Sequence, residues 1–127
     1  MSFSNFLETE ILDHVFAGAA YTAPSTKYLA LFTAIADGEA GSVTEISGNA
    51  YARQSVAFTT SGNTTSNNAA VEFPTATGSW GTVTHVGVYD ASTSGNLMAY
   101  ATLSASKAID TGDVFRVPSG DLDITLN

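Results

Sequence analysis

The chain contains no cysteine. That removes disulfides, thiolate metal sites and a cysteine nucleophile. It is also short of positive charge. Lys27, Arg53, Lys107 and Arg116 are its only cations, against twelve acids, for a formal net charge of −8. Nucleic-acid binding through a basic patch is excluded, because neutralising phosphates requires clustered Lys or Arg. An anionic membrane surface would repel the chain for the same reason. No run reaches the roughly 18 apolar residues of a membrane-spanning helix. No segment recurs at a fixed period, so a repeat-built fibre shaft is not expected. The opening MSFSNFLETE lacks the basic start and apolar run of a signal peptide, so synthesis and first folding in a cytoplasm are expected.

Charged residues make up 13% and hydrophobic ones 44%. A folded domain usually carries about 25% charged residues. The surface here must be covered by Ser, Thr, Asn, Gly and Ala instead. Such a surface suits permanent packing against neighbours. At 127 residues a single domain over 1–127 is expected, large enough for a real core.

Periodicity predicts one helix, over about residues 5–16. Phe3, Phe6, Leu7, Ile11, Val15 and Phe16 recur at three- and four-residue spacing. Asn5 with Glu8 has the spacing of a capping box, and Gly18 is a natural stop. Beyond it the period changes to two. KYLALFTA (27–34) reads as a strand buried on both sides or docked under the helix. YARQSVAF (51–58), AAVEF (69–73), VTHVGVYD (83–90), NLMAYATL (96–103), VFRV (114–117) and DLDITL (121–126) read as further strands. In the first, Ala52, Val56 and Phe58 share the inner face, with Arg53 and Ser55 on the other. Leu97, Ala99, Ala101 and Leu103 share one face of the fourth, and Leu122, Ile124 and Leu126 alternate inward in the last. Turn clusters rich in Gly, Asn, Ser and Asp separate them, TSGNTTSNN (60–68) and ASTSGN (91–96) among these. The pattern predicts a mainly β domain, an antiparallel β-sandwich or partly open barrel, with one N-terminal α-helix.

Few residues point to chemistry. A hydrolytic triad needs Ser, His and a carboxylate meeting in space. His14 lies on the polar flank of the helix and His85 mid-strand, and no GxSxG elbow accompanies either. His85 is expected at a hydrogen bond or a subunit contact. Asp110, Asp113, Asp121 and Asp123 cluster late in the chain without the spacing of a calcium loop. A solvated acidic face is the expectation, and no cofactor or metal is implied. Trp80, between Gly78 and Gly81, is expected to plug one end of the core, with subunit or glycan contact as the alternative for it and for Tyr51.

Four phrases carry a resemblance. They are SNFLETEILDHVFAGAAYTAPSTKYLALFTA, EISGNAYARQSV, FPTATGSWGTVTHVGVYDASTSGNLMAYATL and GDLDITLN. Together they resemble a family of small virion structural proteins of tailed bacteriophages, across essentially the whole chain. AYTAPST, GNAYAR and FPTATGSWGTVTH are its most specific parts. The resemblance implies no catalytic motif. It implies a place in the virion, with members labelled tail fibre or minor structural proteins and similar in character to capsid decoration proteins.

Two functions are therefore expected to compete. The first is a decoration (cement) protein bound outside a capsid, with the major capsid protein as partner and a homotrimer as its form. The second is a tail fibre or minor tail protein that meets tail or baseplate proteins or a host surface glycan. The residues expected at an interface are apolar ones that a monomer hides poorly: Phe3, Phe6, Tyr21, Pro24 and Tyr28.

Overall fold

The computed structural model describes all residues, 1–127. Strand β1 (Ser2–Phe3) leads into helix α1 (Asn5–Leu12), which continues as a single π turn over Asp13–Ala17. Then come β2 (Lys27–Asp37), β3 (Ser42–Glu45), β4 (Gln54–Val56), β5 (Phe58–Ser61), β6 (Thr64–Asn67) and β7 (Val71–Glu72). The long strands β8 (Gly81–Tyr89) and β9 (Leu97–Ile109) follow, and β10 (Arg116–Val117) and β11 (Asp123–Thr125) close the chain.

The main sheet runs β1-β9-β8-β2-β3, with β4 on the free end of the same β2 edge. A three-stranded sheet, β11-β6-β5, and a two-stranded one, β10-β7, lie across the core from it. Every pairing is antiparallel. The result is an open sandwich and not a closed barrel. Its main core takes Leu29, Leu31, Val86, Val88 and Ile109 from the large sheet. Val71, Phe73, Phe115, Val117 and Leu122 come from the facing side. Asn67, 2% exposed, staples that side. Its amide donates to the carbonyls of Ala69 and Pro118, and its oxygen accepts from the Leu122 N–H.

The all-apolar run of β2 is explained by a second, smaller cluster. Leu29 and Leu31 face the main core, while Ala30 and Phe32 face the other way, with Tyr89 and Leu97. Gly87 permits this layer to close. A Cβ there would lie 2.6 Å from the Phe32 ring and 2.7 Å from Leu97.

The expected hairpin of β8 and β9 is present, but two irregularities change its faces. A register shift between Val83 and His85 puts Val83 in the main core with Val86 and Val88, out of phase with His85. A second shift opposes Tyr89 to Leu97 and leaves Met98 as the extra residue. Leu97, expected beside Ala99 and Ala101, is thereby turned to the opposite face.

Other expectations need correction. The helix is N-capped by Ser4, whose hydroxyl accepts the Leu7 N–H, so Asn5 and Glu8 form no capping box. No residue of α1 or the π turn is buried. The stretch 60–68, expected as a turn, is a hairpin: Ser61 opposes Thr64 around Gly62 and Asn63. Thr and Ser fill most of its strand positions, so no apolar alternation marks them. The run 51–58 breaks into β4 and the start of β5, and Ala52 is exposed. Leu126, expected inward, is 55% exposed.

Candidate functional site

The phrases GNAYAR and GSWG meet in space. Trp80 is 5% exposed, and its indole N–H donates to the Asn49 carbonyl at 2.9 Å. The Asn49 amide donates in return to the Ser79 carbonyl at 3.0 Å. Asn49 and Ala50 hold positive φ, 52° and 69°, to form this clamp. The Trp80 ring stands edge-on to Tyr51 (5.5 Å, 87°), and Tyr51 stacks on Phe73. Trp80 therefore sits in the core, as a plug at its end.

Tyr51 and Arg53 form a polar knot with Glu45. The Tyr51 hydroxyl accepts the Leu31 N–H at 3.0 Å and donates to Glu45 Oε2 at 2.7 Å. Burial, then that hydrogen bond, push its pKa far above the usual phenol value. Arg53 grips Glu45 with Nε and Nη2, at 2.9 and 2.8 Å. Its Nη1 donates to the carbonyls of Ala91 and Ser94. The guanidinium lies 3.6 Å from the centre of the Tyr89 ring. Burial alone would lower its pKa, but the Glu45 contact outweighs burial and raises it. Arg53, expected on a solvent face of its strand, thus ties the 91–95 turn to the sandwich. This role was not visible in the sequence, because Glu45 lies eight residues away in a stretch with no strong pattern.

The histidines are engaged locally. His85 Nδ1 lies 2.7 Å from Thr84 Oγ1, which donates its proton to the Thr33 carbonyl at 3.0 Å. Nδ1 is therefore the donor of that pair. His14 Nδ1 accepts the Tyr21 N–H at 3.0 Å. Neither imidazole contacts a serine or a carboxylate. The acids behave likewise. Asp113 accepts the Asp110 N–H within one turn, and Asp123 accepts from Ser66 across a strand pair.

The five apolar residues expected at an interface separate into two groups. Phe3, Tyr21 and Pro24 line one apolar hollow of about 360 Å³ with Phe58, Met98 and Ile124. Phe6 stands edge-on to Tyr21 (6.4 Å, 83°), and the Tyr21 hydroxyl points at Met98 Sδ. Tyr28 is elsewhere: alternation along β2 puts it on the face of Ala30 and Phe32.

The surface that the sequence did not single out is the far half of the helix. Residues 12–20 are all exposed. Leu12 is 57%, Val15 61% and Phe16 82% exposed, three apolar side chains at helical spacing on one face. Val15 and Phe16 end the apolar stripe read from the sequence, and Leu12 adds to it. The helix leaves the sandwich before reaching them.

A match to one protein family covers residues 2–125, and that family is described as podophage GP4 fiber I protein gp80. The chain belongs to that family. No curated protein matches the chain. The gp80 fibre family is a phage structural protein family, which agrees with the resemblance read from the sequence. Within this family member, the Trp80 clamp and the Arg53 knot are made of internal contacts. They fix turns and strand ends around a rigid sandwich.

Proposed function

We propose that this chain is a non-enzymatic building block of a fibre on a tailed-phage particle. The observation that carries this reading is the family match over nearly the whole chain. The geometry supports it. The aromatic and charged residues that looked chemically promising are spent on internal hydrogen bonds and stacking. What is offered outward is a polar, charge-poor surface and an apolar helical face. Its partners would be other tail proteins, further copies of itself and, at the distal end of a fibre, a surface glycan of the host.

A second reading is a capsid decoration protein seated on the major capsid protein, as a trimer. The feature that favours it is the compact single sandwich without a repeat. Copy number separates the two. Quantitative mass spectrometry of purified particles should give at most tens of copies per particle for a fibre. Several hundred copies, matching the capsid lattice, would replace the fibre reading with decoration.

A further inference from the structure

The helical arm carries an apolar face with nothing under it. The arm is nonetheless held in place. Ser4 caps its start, its hydroxyl also donating to the Leu97 carbonyl. The π turn ends at Gly18 in the left-handed region (φ 74°). His14 then accepts the Tyr21 N–H and ties the returning chain to the arm. Leu12, Val15 and Phe16 are thus displayed on an ordered element, flanked by Glu8 and Asp13.

The molecule also holds a groove that this face fits. It lies between the β9 edge, from Ala101 to Lys107, and the segment 115–123. Leu103, Phe115, Val117 and Leu122 give it apolar walls, and its volume is about 410 Å³. A void of about 150 Å³ lined by apolar side chains accepts benzene, so this groove has room for the Phe16 ring and an aliphatic neighbour. Lys107 and Arg116, half of the chain's cations, stand at its rim, with Asp121 and Asp123. The other two cations are engaged: Arg53 holds Glu45, and Lys27 donates to the Pro24 carbonyl. Arg53–Glu45 is the only ion pair within 4.0 Å, so neither Lys107 nor Arg116 is bound to a carboxylate, although Arg116 stands across the β10–β7 pair from Glu72. In a chain of net charge −8, this rim holds two cations that no ion pair engages, interspersed with Asp121 and Asp123.

The arm does not enter the groove of its own chain. Ser2 opposes Tyr100 and Phe3 opposes Ala99, so the chain runs along β9 towards Leu97 before the helix starts. The groove begins at Ala101 and extends the other way. We propose that the Leu12–Val15–Phe16 face of one copy docks in the β9 groove of a second copy. Glu8 and Asp13 then approach the partner's Lys107 and the partner's Arg116. The contact joins two different patches, so it forms a reciprocal pair or a closed or open series.

This inference rests on the reading of the chain as a virion building block. The test uses the whole chain in solution, by light scattering and native mass spectrometry over a range of concentrations. Wild type should associate. Phe16→Asp should weaken association roughly tenfold or more, with an unchanged circular dichroism spectrum because Phe16 is already exposed. Lys107→Glu with Arg116→Glu should weaken it as well. Mixing the two defective variants should restore a mixed complex, since one supplies an intact groove and the other an intact arm. A monomeric wild type, including one whose arm instead binds another virion protein, overturns the proposal. So does association untouched by Phe16→Asp, or failure of the two variants to complement. A monomer still found in purified particles would leave the fibre reading standing.

Discussion

Replacing Arg53 by lysine keeps the charge and removes the fork. The guanidinium makes two bonds to Glu45, two to the Ala91 and Ser94 carbonyls, and stacks on Tyr89. A lysine ammonium keeps at best one carboxylate contact and no flat stack. Hydrogen bonds to charged groups contribute about 1.5–3 kcal/mol each, and breaking a buried pair outright costs about 3–5 kcal/mol. Lysine retains part of the pair, so the loss should be about 2–3 kcal/mol. For a chain of this size that lowers Tm by roughly 6–12 °C. The side chains are only 7% and 23% exposed, so solvent screening removes little of this. The deficit should change little between low and high salt. The assay is thermal melting by circular dichroism at two salt concentrations, with hydrogen exchange read on the 91–96 amides, which should exchange faster in the variant. A Tm within 2 °C of wild type, or a deficit that vanishes in high salt, would refute the idea that Arg53 holds this turn.

Gly87→Ala drives a methyl into Phe32 and Leu97 and should destabilise by about 1–3 kcal/mol in denaturant melts. Ser4→Ala removes the helix cap and a buried bond to Leu97, and should cost about 1–2 kcal/mol by the same measurement. His85→Ala should shift stability by less than about 1 kcal/mol and leave phage infectivity unchanged, since the half-buried His85 side chain makes a single hydrogen bond, to the Thr84 hydroxyl. Alkaline pH should weaken the fold. Tyr51 has a raised pKa in the folded state, so its contribution is complete below the unfolded value near 10 and declines as pH rises beyond it. Tyr51→Phe should flatten that decline in a pH series of melts. An equal slope in both proteins would show that other groups set it.

The sequence carried the architecture well because apolar alternation is set by burial. Leu29 to Phe32, Val86 and Val88, and Phe115 and Val117 each fall where that pattern puts them. It failed where alternation is interrupted. The extra residue at Met98 turns Leu97 to the other face, and no composition cue marks a bulge. The hairpin of β5 and β6 is built mostly of Thr and Ser, with β5 largely solvated and β6 half-buried, so no apolar alternation marks it and it looks like a turn. The arm was misjudged for a related reason. Periodicity shows that Leu12, Val15 and Phe16 share a face, but not what lies under it. The Arg53–Glu45 knot joins the end of β3 to the residue just before β4. A sequence shows the two residues but not their meeting.

The central claim is that this sandwich is a fibre subunit. Reconstruction of the intact phage particle by cryo-electron microscopy tests it most directly. The β8–β9 hairpin, the Trp80 clamp and the projecting arm should fit density in an appendage attached at the tail vertex. The same fold repeated over the capsid lattice, with none in the appendages, would contradict it.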